Sequence, residues 1–307
     1  MITFLFVLFI IMASLYGVLA SIEAGIALTM LFPKLSNSPL FNKDIYTPIW
    51  EITNVFLVLA VIILTVIFNN SLSHFSKIAF VPLFFAGIGL LIRAITGMYI
   101  FYSNNKVNLL SKLLLIAASY LAPVSVAVIG VDFFTGKSVW STNLGLALLL
   151  SALLGITVIG LTFANRHKSA ISQHSRYLLY ILFAFWAIDL GFMLPHFLMS
   201  FDSNLLKTPL TILIAVIAVS TVSFFMYSAV KNKVHELYQY AILIGFITPI
   251  LLGLDSKPYL IYNNITIKQA YGAAAYQSTI LIGGIICFPI IAIGFYLLTK
   301  LLLDKNR

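Results

Sequence analysis

Nine apolar segments are the feature of this sequence that most constrains its fold. A helix needs about 20 apolar residues to cross a bilayer, and each segment is long enough. Their approximate limits are 2–32, 46–68, 76–102, 109–131, 142–164, 177–200, 207–230, 236–254 and 275–303. The segments are too long for membrane β-strands and do not alternate, so a closed barrel is excluded. The sequence therefore predicts an all-α polytopic membrane protein with nine transmembrane helices.

The loops between these segments are short, so residues 1–307 are predicted to form a single membrane domain. Its helices suit two four-helix bundles, approximately 1–131 and 142–254, with 275–303 as a peripheral ninth helix. The composition agrees, because 61% of the residues are hydrophobic and only 9% are charged. The chain has one cysteine, Cys287, which excludes an internal disulfide.

Basic residues in the loops predict the orientation, because cytoplasmic loops carry an excess of Lys and Arg. The loops opposite the N-terminus and the C-terminal tail hold twelve: Lys34, Lys43, Lys106, Lys112, Arg166, Lys168, Arg176, Lys231, Lys233, Lys300, Lys305 and Arg307. The N-terminal side holds five: Lys77, Lys137, Lys207, Lys257 and Lys268. A multi-pass protein of the cytoplasmic membrane is predicted, with its N-terminus outside and its C-terminus inside. Because the net charge of +9 is spread over loops, nucleic-acid binding is not expected.

Three ionisable residues are predicted to lie in the cytoplasmic half of the membrane: Glu23, Glu51 and Arg93. A charge at the bilayer centre costs about 2.5–3.5 kcal/mol on insertion scales, so these groups must face protein, pair with one another or line a wet cavity. Two interpretations stay open. The residues could line a half-channel that admits protons from the cytoplasm, or they could form a buried ion pair that fixes helix packing.

The surroundings of Glu51 add two candidates for the same site. Trp50 precedes it, and Asn54 follows at i+3, where it is expected to face the same way. Pro48 suits the first turn of the helix that carries them.

Asp189 and His196 are weaker candidates on the sixth segment, seven residues apart and therefore on one face. They could form a relay or bind a ligand. Alternatively, neighbouring helices satisfy Asp189, and His196 is an interfacial residue.

Haem binding by this chain is not predicted, because bis-histidine ligation needs two histidines that face each other within the membrane. Only His196 lies well inside a predicted helix, and the other histidines are His74, His167, His174 and His235. Metal-ligand spacings and phosphate-binding loops are also missing from the sequence. The chain is therefore expected to hold no cofactor and no metal.

Several stretches resemble subunit II of cytochrome bd-type quinol oxidases. Residues 22–33 resemble the acidic, Gly-rich end of that family's first helix. Residues 48–56 (Pro-Ile-Trp-Glu-Ile-Thr-Asn-Val-Phe) resemble its Pro-His-Trp-Asp/Glu-Gly-Asn-Gln-Val-Trp motif. Residues 90–97 resemble its third helix, where an arginine precedes Pro-Val-Gly, and residues 264–270 and 278–281 resemble its last outer loop and final helix. The spacing agrees from end to end, so the resemblance covers most of the chain.

This resemblance implies a haem-free subunit that forms a heterodimer with a larger subunit I in the lipid bilayer. Subunit I is expected to hold two b-type haems, one d-type or b-type haem and the quinol site, where quinol oxidation reduces oxygen to water. In the family, the acidic residue after the tryptophan lines a proton path from the cytoplasm. The same role is implied for Glu51, with Glu23 and Arg93 as neighbours.

Two other functions stay open from the residues alone. A proton-coupled secondary transporter could use Glu23, Glu51 and Asp189, although such folds usually show inverted repeats and broken helix pairs. A structural subunit of another respiratory complex would need Glu51 and Arg93 only as a packing pair.

Overall fold

The computed structural model describes residues 2–31, 43–102, 108–136, 143–166, 180–182, 184–185, 220, 223–224, 227, 231, 234–255, 258–261, 264–272, 282–283 and 293. Within these residues the long helices are α1 (Ile2–Thr29), α2 (Lys43–Ile62), α3 (Leu72–Tyr102), α4 (Leu109–Thr135), α5 (Asn143–Arg166) and α6 (Val234–Asp255). Helices α1 to α5 are long and apolar enough to cross a membrane. The protein is therefore an α-helical membrane protein, as predicted.

These six helices occupy six of the nine predicted segments and differ from them by a few residues at each end. The predicted segments 177–200, 207–230 and 275–303 lie outside the described residues, apart from isolated positions. The count of nine and the division into two bundles stay predictions. One detail was wrong: α2 begins at Lys43, so Pro48 lies inside the helix, beyond its first turn.

Helix α1 is the central element of the described part. It packs against α2, α4, α5 and α6, and every residue from 18 to 27 is buried. A helix that is apolar all round belongs in such an interior position. Small residues let its backbone approach α5 closely, because a Cβ atom on Gly25 would overlap the backbone of Gly160. This close contact sets the position of α1 and of the polar side chains that it carries.

Residues 258–261 and 264–272 form a compact structure that the sequence did not predict, and we call it the outer cap after its predicted side of the membrane. Strand β1 (Tyr259–Ile261) pairs antiparallel with β2 (Ile265–Thr266), and the short helix α7 (Ile267–Ala270) follows. The purely α-helical prediction missed this hairpin, because strands of three and two residues are too short to show a period in the sequence.

The outer cap docks on the connection between α2 and α3. That connection is a π-helical turn (Ile63–Ile67) followed by a 3₁₀ turn (Asn69–Ser71). Asn70 Nδ2 donates to the carbonyl oxygen of Tyr271 at 3.2 Å, and the Gly272 N–H donates to the carbonyl oxygen of Ile67 at 3.1 Å. Both segments were predicted on the same side of the membrane, and their contact brings them together there.

Helix α4 reaches the same end of the molecule. Gly136 ends α4 in the left-handed conformation, with φ of 64°, which suits glycine because it has no Cβ atom. Its carbonyl oxygen accepts from Asn264 Nδ2 at 3.3 Å, so the cap also holds the end of α4.

Candidate functional site

A buried ion pair joins α1 to α3 in the interior of the described helices. Arg93 Nη1 donates to Glu23 Oε2, and the exposed fraction of both side chains is 0%. Each charge at such a position compensates the other, because the desolvation of an isolated charge in a low-dielectric interior costs several kcal/mol. The pair therefore holds α1 and α3 in one relative position.

Helix α2 contributes the third member of the site. The second guanidinium nitrogen of Arg93, Nη2, donates to Asn54 Oδ1 at 3.1 Å. Thr53, the neighbour of Asn54, is fully buried beside the Glu23 carboxylate, and its hydroxyl donates to the carbonyl oxygen of Ile49 at 2.7 Å. Three helices thus meet at Glu23, Asn54 and Arg93, which we call the charged cluster.

The charged cluster has unused hydrogen-bonding capacity. Within the described residues, Glu23 Oε1 and Arg93 Nε have no hydrogen-bond partner, and the same holds for the hydroxyl of Tyr16. Tyr16 and Tyr46 both interact electrostatically with Glu23 and Arg93. One carboxylate oxygen is therefore tied to Arg93, while the other remains open.

Glu51 lies elsewhere on α2, on its exposed side. It shares that side with Val55, Val58 and Ile62, which follow at helical spacing and are also exposed. Because the inward face of α2 is taken by residues such as Ile49 and Thr53, Glu51 points away from the core. The pair of Glu51 with Arg93, which was one of the open alternatives, is therefore not formed: the acidic partner of Arg93 is Glu23.

Asn54 connects the two locations. It is half-buried, one helical turn from Glu51, and its amide oxygen reaches Arg93. Trp50 is also half-buried and packs against the main hydrophobic core. The candidates Asp189 and His196 lie outside the described residues.

A cavity of about 300 Å³ lies next to α1, between α4, α5 and α6. Its walls are mostly apolar, with residues such as Phe6, Pro123 and Pro249. Tyr16 is part of the wall, whereas Glu23 and Arg93 are not. Tyr16 therefore lies between the charged cluster and the cavity.

The sequence pointed to Glu23, Arg93 and Asn54 but not to Tyr16 or Thr53. Tyr16 and Thr53 carry no charge, so the cost of burial in a membrane did not point to them. One signal was available: Tyr16 precedes Glu23 by seven residues, which places both on the same face of one helix.

The described residues contain no group of three or more His, Cys, Asp and Glu side chains that could hold a metal ion. Among the histidines, only His74 has a described side chain, and it is exposed near the start of α3.

The fold and the site define a polytopic α-helical membrane protein with a buried charged cluster. Residues 1–302 match the family model of cytochrome bd terminal oxidase subunit II, and the chain belongs to this family. It is therefore a subunit of a respiratory oxidoreductase complex, which confirms the resemblance seen in the sequence.

Solved structures show the same fold. The chain is similar to one described as "The structure of bd oxidase from Geobacillus thermodenitrificans", with a TM-score of 0.74, 19% sequence identity and 97% coverage of each chain. At this identity the likeness establishes the architecture alone. A search of curated proteins gave no match.

Proposed function

We propose that this chain is the haem-free subunit II of a bd-type oxidase and that its charged cluster conducts protons from the cytoplasm toward the oxygen site of subunit I. The observation that carries the proposal is the series of polar groups on α2, α3 and α1. It begins at exposed Glu51, continues through half-buried Asn54, and ends at the fully buried pair of Arg93 and Glu23.

The chemistry of the complex requires such a route. Two quinols supply four electrons, and one oxygen molecule takes four electrons and four protons to form two water molecules. Haems on subunit I would carry the electrons. Because the protons are consumed inside the membrane, polar groups must bring them across apolar surroundings, where isolated charge is costly.

Each member of the series has a distinct task in this proposal. The Glu51 carboxylate takes up a proton near the cytoplasmic end of α2. Asn54 orders water between Glu51 and the interior, because its amide can donate and accept at once. Arg93 holds Glu23 Oε2 and so orients the carboxylate, while Oε1 remains open to exchange a proton with water.

The position of Glu51 also supports a contact between the exposed face of α2 and a partner subunit. Its carboxylate lies on an otherwise apolar exposed helix face, beside Val55 and Val58. If it faced lipid, the carboxylate would pay part of the roughly 2.5–3.5 kcal/mol that a charge costs at the centre of the bilayer. Cover by subunit I, with water trapped at the interface, removes this cost and connects Glu51 to the oxidase.

Purification of the complex tests the subunit assignment. A tag on this chain should capture, from native membranes in mild detergent, a second membrane subunit with haem absorption and quinol:oxygen activity. Recovery of the chain alone, combined with proton-coupled solute uptake when it is reconstituted in liposomes, would instead favour the transporter.

Variants at Glu51 test the proton route within that complex. In Glu51→Gln, oxygen consumption should fall at least about tenfold, which is within the range of 10²–10⁴ that a positioned proton-transfer group contributes. Haem absorption should not change, because Glu51 is exposed and distant from the core contacts. Glu51→Asp, which keeps the carboxylate, is the matched control and should retain most of the turnover. Full turnover in Glu51→Gln would refute the route.

A further inference from the structure

Tyr16 is a buried polar residue that the proposed route has not used. Its side chain is fully buried, and its hydroxyl has no hydrogen-bond partner among the described residues. More than nine in ten buried polar groups in folded proteins bond to protein or to ordered water. A phenylalanine would fill the same space without an unpaired hydroxyl, so the hydroxyl indicates a bound water molecule.

Two other unpaired polar atoms belong to the same region. They are Oε1 of Glu23 and Nε of Arg93, and Tyr16 interacts electrostatically with both residues. Tyr16 and Glu23 share one face of α1, separated by a rise of about 10.5 Å. Side chains in a helix tilt toward its N-terminus, so both side chains lean the same way and the separation between them remains of this order. A single water molecule cannot span this rise, so a short chain of internal water molecules would join the three atoms, each of which can hold one water by a hydrogen bond.

The polar side chains that line the neighbouring cavity indicate where water can bind near Tyr16. Tyr16 lines the cavity of about 300 Å³, and most of its other walls are apolar. The hydroxyls of Ser14 and Thr248, which also line it, donate to the carbonyl oxygens of Ile10 and Ile244 in their own helices, both at 2.8 Å. The hydroxyl of Ser21, which lines the same cavity, donates to the carbonyl oxygen of Gly17 at 2.6 Å, so the unpaired hydroxyl of Tyr16 is where we expect water to bind.

We propose that Tyr16 is a positioning residue that binds internal water against Glu23 Oε1 and Arg93 Nε. This inference rests on the proposed function, because the water matters only if Glu23 exchanges protons. The O–H bond at Oε1 breaks as the neighbouring water oxygen takes the proton, and the hydronium so formed becomes water again when it returns the proton. The Tyr16 hydroxyl donates a hydrogen bond to this water and keeps its own proton throughout, so the phenol stays neutral.

The test is Tyr16→Phe in the complete heterodimer, with proton uptake followed by a pH-sensitive dye during oxygen reduction. Uptake should be at least about fivefold slower, a modest part of the 10²–10⁴-fold that a positioned proton-transfer group contributes. Haem absorption should be unchanged. In redox-difference infrared spectra, the carboxyl band that Glu23→Gln removes should shift in Tyr16→Phe, because its water partner is lost.

Tyr120→Phe is the matched control, because Tyr120 is another tyrosine within the bundle but its hydroxyl already donates to Thr157 Oγ1 at 3.1 Å. It should change neither proton uptake nor the Glu23 band. If Tyr16→Phe behaves like this control while Glu51→Gln slows uptake, the role of Tyr16 is refuted and the proposed function survives. If neither Tyr16→Phe nor Glu51→Gln slows proton uptake, both the role of Tyr16 and the proposed proton route are refuted.

Discussion

The ion pair between Glu23 and Arg93 allows a quantitative prediction about stability. In Arg93→Met the guanidinium is replaced by an apolar side chain of similar length. Glu23 then loses its ionic partner, and Asn54 loses a hydrogen bond of 3.1 Å, in a region where the exposed fraction of both charged side chains is 0%. Removal of one partner from a buried pair costs about 3–5 kcal/mol, because the other charge stays uncompensated. We expect the free energy of unfolding to fall by that amount.

The assay is titration of the purified heterodimer with SDS, followed by far-UV circular dichroism. Lys77→Met is the matched control, since it removes a positive charge from an exposed position on the same helix and should change stability by less than about 0.5 kcal/mol. The double variant Arg93→Met with Glu23→Leu should recover most of the loss, because no unpaired charge is then buried.

Two outcomes would refute this reasoning. One is a loss below about 1 kcal/mol in Arg93→Met, which is typical of ordinary substitutions. The other is a double variant as unstable as the sum of the two single variants, which would show that the groups do not interact. Oxygen consumption of the double variant separates the roles: full turnover would show that the pair serves packing alone.

Other contacts give further predictions. Gly25→Ala should prevent normal assembly or lower stability by roughly 1–3 kcal/mol, as overpacking does, because a Cβ atom there overlaps the backbone of Gly160. Gly17→Ala on the same helix meets open space and is the control, and the yield of heterodimer measures both. Thr266→Ala should cost about 0.5–2 kcal/mol locally, because it removes the capping box with Gln269. Faster protease cleavage of the outer cap, with unchanged oxygen consumption, would show this; an unchanged cleavage rate would contradict it.

The sequence alone was enough to predict membrane helices and the need of Glu23 and Arg93 for polar partners. Burial of charge in lipid is so costly that Glu23 and Arg93 had to find polar partners, and their depths along α1 and α3 could be counted from the helix ends. The contact between Glu23 and Arg93 therefore agrees with one of the two predicted interpretations, a buried ion pair, whereas Glu51 lies apart from it.

The choice of partner was not predictable in the same way. Both Glu23 and Glu51 have a depth that suits Arg93, and the decision depends on how each helix is rotated about its axis. That rotation follows from packing: α1 is buried on all sides around residues 18–27, whereas α2 turns only one face inward. Hydrophobicity is nearly uniform around helices such as α1, so no sequence pattern reveals which face points toward Arg93.

Tyr16 and the outer cap are two further features that the sequence did not predict. The hydroxyl of Tyr16 becomes a candidate only because its structural neighbours leave it without a hydrogen-bond partner. The outer cap contains strands that are too short to give a periodic pattern in the sequence. Both features depend on contacts between segments that are distant along the chain, such as Asn70 with Tyr271.

The most direct test of the proton route is uptake from the cytoplasmic side in proteoliposomes that contain the heterodimer. A pH-sensitive dye on that side follows the protons while quinol and oxygen start turnover. In Glu51→Gln, the rate of uptake should fall together with oxygen consumption, at least about tenfold, while the haem spectrum stays the same and Glu51→Asp remains close to the unmodified protein. Uptake at the normal rate in Glu51→Gln would contradict the route from Glu51 through Asn54 to Glu23.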